Sequence, residues 1–177
     1  SVGSSQLTAD VITGQTALAV APDSTDELLI SDGGTLKRID VSLVGGANTP
    51  AFRVYRDSSA QTISTGTNVK IQFNAETYDT ANAFDNTTNY RFTPQTAGKY
   101  FIHFQYGHNS GTGHSQIIPK LYKNGSYVAR SNYYHNAGTY HYSVSTTISL
   151  NGSSDYVEAF VYHNYGSDRS SDYATGN

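Results

Sequence analysis

The sequence predicts an all-β fold, an antiparallel jelly-roll sandwich preceded by a β-rich attachment segment, on three observations. Polar and apolar residues alternate with period two over residues 99–106 and 139–150, as in half-buried strands. The tight-turn dipeptides Asn124-Gly125 and Asn151-Gly152 punctuate such runs. No segment carries a capped apolar period of 3.6 residues.

Taken in order, residues 8–44 consist of short apolar pieces broken by polar turns. Asp32-Gly33-Gly34 lies between two β-prone runs and predicts a hairpin, because glycine accepts the positive φ of a tight turn. A lone two-stranded hairpin is marginal in water, so residues 1–45 need the following domain or sister chains to lean on. Gly45-Gly46-Ala47-Asn48-Thr49-Pro50 is the linker, which sets the domains at 1–45 and 50–177. Beyond it, Tyr100, Ile102, Phe104 and Tyr106 share one strand face, opposite Lys99, His103 and Gln105. Tyr140, Tyr142, Val144, Thr146, Ile148 and Leu150 repeat the pattern against His141 and a row of Ser and Thr. Residues 121–128 form a hairpin with Asn124-Gly125 at its tip. Residues 156–163 are apolar or aromatic on both faces except at Glu158, which suits a strand covered on both sides and makes it a candidate subunit interface.

Composition narrows the function. Of 177 residues only 14% are charged and 37% hydrophobic, so the surface relies on Ser, Thr, Asn, Gly and Tyr. Eleven basic and 14 acidic residues give a formal net charge of -3, with no basic run to bind nucleic acid or an anionic membrane. The absence of cysteine excludes disulfides, thiolate zinc sites and cysteine catalysis. No apolar stretch approaches the ~20 residues that span a bilayer, and residues 1–5 have neither part of a signal peptide. The sequence opens at Ser1 without Met, so a longer chain at either end is expected.

Phe73, Asp79, Phe84, Phe92 and then Gly98-Lys99-Tyr100-Phe101-Ile102-His103-Phe104 resemble the signature of the globular head of complement component 1q. Relatives of that head share the jelly roll of the tumour necrosis factor superfamily. Pro50-Ala51-Phe52-Arg53-Val54 is similar to the family's opening strand, 121–125 to its mid-domain hairpin and 155–158 to its penultimate strand. An extra residue lies between Phe84 and Phe92, and Ile102 stands where the family has Phe. The family's closing strand is expected beyond Asn177. Read with the residues, Gly98 belongs to a turn and the aromatic residues are core anchors. The resemblance implies a parallel homotrimer.

Residues 26–39, Asp-Glu-Leu-Leu-Ile-Ser-Asp-Gly-Gly-Thr-Leu-Lys-Arg-Ile, resemble segments of tail-fibre and other virion proteins of tailed phages, marine cyanophages above all. That implies a virion structural protein, a fibre head joined to other virion proteins through residues 1–45 and carried on the extracellular particle. The alternatives are a capsid decoration protein and a secreted complement-like binding module.

No chemistry-bearing motif is present: there is no nucleophile elbow, phosphate loop or His-Glu-x-x-His helix, so no catalytic residue, cofactor or enzyme activity is expected. The carboxylate pairs Asp23/Asp26 and Asp168/Asp172 sit in turn-like contexts as local caps. None of the six histidines has metal-ligand spacing, although one histidine per chain becomes three on a threefold axis. The richest loops hold Tyr, His, Asn, Ser and Gly, the composition of binding loops. Their candidate ligand-binding residues are Tyr106, His108, His114, Tyr133, Tyr134 and His135; the same tyrosines suit a subunit interface equally well. A neutral, Tyr-rich surface is expected to hold host-envelope glycan in a salt-tolerant way, because stacking survives salt while ion pairs are screened.

Overall fold

The computed structural model describes residues 25–44, 50–109, 115–135 and 139–173, with positions 14, 16, 19, 20, 22 and 23; the side chains of residues 108, 109, 115, 135, 139 and 140 lie outside that description. Among the described residues there is no α-helix, and the strands pair antiparallel. The chain divides into two compact units, Ser1–Ala47 and Asn48–Asn177.

In the first unit β1 (Glu27–Asp32) pairs with β2 (Thr35–Asp40). The reversal is made by Gly33 and Gly34, both at positive φ (59° and 82°). Lys37–Asp32 and Arg38–Glu27 ion pairs (2.6 and 3.0 Å) cross the strands, though exposed pairs contribute only about 0–1 kcal/mol each. Asp40 then accepts a bond from the Ser42 amide (2.8 Å) and caps a single 3₁₀ turn, Val41–Leu43. Leu28, Leu29 and Leu36 are exposed.

The second unit holds β3 (Phe52–Tyr55), β4 (Thr62–Ile63), β5 (Asn68–Lys70), β6 (Ala75–Asp79), β7 (Phe84–Asp85), β8 (Arg91–Phe92) and β9 (Ala97–Asn109). After these come β10 (Ser115–Lys123), β11 (Ser126–Arg130), β12 (Tyr133–His135), β13 (Thr139–Asn151), β14 (Val157–His163) and β15 (Arg169–Ser170). One sheet runs β11-β10-β14-β8-β7, with β12 also on β10 and β5 also on β14. Facing it, β9 and β13 pair over their full 13 residues, Ala97 with Asn151 through to Asn109 with Thr139. The β15–β4 pair is tied to β9 by the Asp172 amide donating to the Gly107 carbonyl (2.7 Å). These packed antiparallel layers are compatible with a jelly-roll sandwich.

Alternation dictates what fills the space between the layers. Ile102, Phe104 and Tyr106 from β9 and Tyr142, Val144, Ile148 and Leu150 from β13 are buried with Ile117, Leu121, Val157 and Val161 from the facing sheet. Phe92 is 1% exposed, stacked on Phe52 (4.4 Å) and edge-on to Tyr100 (5.5 Å). Phe52 also stacks on Phe84 (5.5 Å), and Phe73 meets Phe84 and Phe104 edge-on (6.5 and 5.9 Å). The aromatic residues of the 73–104 signature thus form one connected cluster, each ring able to bury ~150–250 Å². Gly98 is not in a turn: it is the second residue of β9, opposite Leu150. The close approach at that end is made instead by Gly152, whose φ is +71°. A trough of about 1070 Å³, lined by residues of β3 and β9 among others, mixes the rings of Phe52, Phe73, Phe92 and Phe104 with polar and charged side chains.

Candidate functional site

The six candidate residues fall in different environments. Tyr106 belongs to the inward row of β9 and is only 3% exposed. Burial, and then the neighbouring Tyr165 and Tyr142, push its phenol far above the ordinary tyrosine range. It is a core residue and not a loop contact, because β9 continues three residues past it before the chain turns. Tyr133 is half-buried in β12, opposite Ile117; its hydroxyl donates to the Ser143 carbonyl (2.8 Å) and its ring lies 5.1 Å from that of Tyr142. It braces β12 against β13 and is not a loop tip. Tyr134, its neighbour, points the other way and is 79% exposed. The backbones of His108 and His135 lie in β9 and β12, opposite Tyr140 and Ser115; their side chains, and the whole of His114, lie outside the described residues. Of the set, the structure presents Tyr134 to solvent and removes Tyr106 to the interior. No group of three or more His, Asp or Glu side chains converges among the described residues.

Among the described residues one histidine is wholly buried. His163, at the end of β14, is 0% exposed; its Nε2 lies 2.9 Å from the Ile63 carbonyl, and its Nδ1 accepts from the Tyr165 amide (3.4 Å). A donor at one nitrogen and an acceptor at the other define a neutral ring. Burial depresses its pKa below 6.5, opposed by the Ile63 bond, with Arg169 lowering it and Asp168 raising it further. The native state therefore binds fewer protons than the unfolded chain below about pH 6.5. His163 should contribute full stability above that pH and lose it as the pH falls towards the depressed native value. Urea midpoints at pH 7.5 and 5.5 check this: the drop in wild type should shrink in His163→Gln, and an equal drop in both would exclude the residue.

The more chemically suggestive region is the outward face of β5, β14, β10 and β11. Leu121, Val157, Val161 and His163 point inward, so Lys120 and Tyr122 of β10 and Glu158, Phe160 and Tyr162 of β14 point outward. Lys70, Phe160, Lys120 and Arg130 stand in one transverse row, since Phe160 pairs with Lys70 and Lys120, and Lys120 pairs with Arg130. Tyr122 packs on Phe160 (4.4 Å), Lys120 Nζ lies 5.4 Å from the Tyr162 ring, and Arg130 lies 5.6 Å from Tyr127. Lys70 is neutralised by Glu158 (2.9 Å) and Lys123 by Asp155 (2.8 Å). Lys120 and Arg130 meet no carboxylate among the described residues; Lys120 instead donates to Asn68 Oδ1. Tyr134 faces the same way, opposite Gln116.

Sequence reasoning also missed Phe101. It stands on the outward face of β9, opposite Thr147, and is 70% exposed. Its outward neighbours are His103 and Gln105 on β9 and Ser143, Ser145 and Ser149 on β13. The signal was present, since alternation puts an odd-numbered Phe among the polar residues of that row. Neither a family model nor a curated protein sequence matches this chain.

Proposed function

We propose that this chain is a non-enzymatic virion structural protein, a homotrimeric fibre head that attaches the particle to glycan on the host surface, with residues 1–45 joining it to other virion proteins. The observation that carries the reading is Phe101, a large ring exposed on the outward face of a 13-residue strand pair. Apart from Lys99, the outward positions of β9 from 99 to 105 and of β13 from 143 to 149 bear only Phe, His, Gln, Ser and Thr. A charge-poor face with one central aromatic residue is the make-up of an interface core. The outward aromatic residues of β14, by contrast, have partners within the chain, Tyr122 on Phe160 and Lys120 on Tyr162. That leaves the β14 face open to ligand. The exposed Leu28, Leu29 and Leu36 of the first unit suit a segment that docks on other proteins.

Attachment is tested at Tyr134. Tyr134→Ala should weaken binding to host cells while the mass of the assembly and its melting temperature stay unchanged, because a ring 79% exposed contributes little to the core. Tyr133→Ala serves as the contrasting variant, since losing its Ser143 bond and Tyr142 contact should cost about 2–3 kcal/mol of stability. Unchanged cell binding by an intact Tyr134→Ala assembly would remove this residue from the receptor contact.

A further inference from the structure

We propose that the outward face of β5, β14, β10 and β11 is a binding site for acidic saccharide, with Lys120 and Arg130 holding the anionic group and the rings of Tyr162 and Tyr122 flanking the sugar. The inference deepens the attachment reading, on which its biological setting rests, by naming the class of saccharide that the sheet carrying Tyr134 takes, and it departs from the salt-tolerant binding expected of a neutral surface, because an ion-paired saccharide is released by salt.

The first argument is electrostatic. Like charges directly opposite one another on adjacent antiparallel strands are destabilising, yet Lys120 and Arg130 are paired in this way. Elsewhere in this sheet Lys70 and Lys123 each have a carboxylate within 2.9 Å and Arg91 lies over the Tyr156 ring on β8, so Lys120 and Arg130, side by side, form a local excess of two positive charges. Burial, and then the charge of Arg130, hold the Lys120 ammonium below its ordinary pKa. An anion between them would relieve both effects.

The second argument is geometric. Counting back from the two-residue Asn124-Gly125 turn would set Ala129 opposite Lys120. A bulge between Leu121 and Tyr122 shifts the register by one and brings Arg130 there instead. Bulges re-aim side chains and recur beside functional sites. The pair also has the complementary chemistry: a guanidinium fork binds a carboxylate or sulfate through two parallel bonds, and an ammonium adds a point charge. Asn68 Oδ1 fixes the Lys120 ammonium beside the Tyr162 ring. The packed Tyr122–Phe160 pair supplies a rigid apolar edge on the other side. Aromatic rings next to two cations suit a sugar bearing an acid group better than a bare ion.

The test is titration calorimetry of the full chain with an oligogalacturonate, a sulfated heparin oligosaccharide, the methyl-esterified neutral oligogalacturonate, a poly-glutamate peptide and sodium sulfate. An acidic oligosaccharide should bind, more weakly at high salt, and the neutral ester about ten-fold more weakly or less. Lys120→Gln/Arg130→Gln should reduce acidic binding about ten-fold or more, as expected for losing charge-assisted bonds, with a melting temperature no lower than the parent's, since the opposed like charges are gone. Equal binding of the ester, undiminished binding by the double variant, or no binding of either acidic oligosaccharide overturns the site. Sulfate or poly-glutamate binding as tightly as the oligosaccharides overturns the saccharide assignment. If acidic oligosaccharides bind through Lys120 and Arg130 while the particle's attachment is unaffected by the double variant, the attachment reading fails and the site stands.

Discussion

Gly152→Ala is expected to destabilise the second unit by about 3–5 kcal/mol, while Gly125→Ala, at an equally left-handed position, costs only about 1–2 kcal/mol. The two glycines have nearly the same backbone, φ +71° and +76°, so the penalty for placing a Cβ on a left-handed residue is shared. They differ in what that Cβ would meet. At Gly125 nothing lies within 4 Å, whereas at Gly152 it would come within 2.2 Å of the Ala97 amide nitrogen and 2.4 Å of the Thr96 carbonyl carbon. Both obstacles are backbone, at the point where β9 begins opposite the end of β13, so relief requires parting the longest strand pair among the described residues. Chemical denaturation of the two variants measures the difference. Equal losses would mean that the β9–β13 junction is looser than described.

The second large effect belongs to assembly. In the trimer proposed above, Phe101→Ser should give a monomer whose own melting is nearly that of the parent chain. A Phe ring offers ~150–250 Å² to bury, and Phe101 is 70% exposed in the single chain. At roughly 25 cal/mol per Å² its burial contributes about 2–4 kcal/mol per chain. Three such losses in one trimer, at about 1.4 kcal/mol per ten-fold in affinity, move dissociation by several orders of magnitude. Since the ring stands on the outward face of β9 and is 70% exposed, Ser at this position leaves the sandwich intact. A Phe101→Ser trimer as stable as the parent would place the interface elsewhere.

How much of this was legible in the sequence depended on whether a feature is local. Strand faces were: the inward rows of β9 and β13 follow directly from period-two alternation, and Gly33-Gly34 and Asn124-Gly125 make turns because both residues of each pair take positive φ. Tyr106 was assigned two incompatible roles, inward strand residue and loop contact, and alternation prevailed because β9 extends to Asn109. Tyr133 could not be read correctly, since its role depends on the Ser143 carbonyl ten residues away across a different pairing. The opposition of Lys120 and Arg130 was hidden for a similar reason: it is created by a bulge, and no local residue pattern marks the one-residue shift in register. Phe101 needed no long-range information and was overlooked only because its row is otherwise polar.

The reading of a trimeric head stands or falls on sedimentation equilibrium of the unmodified chain over a range of micromolar concentrations. A trimeric head predicts a single species of three times 19.2 kDa, independent of concentration. A stable species of 19.2 kDa across that range would contradict it.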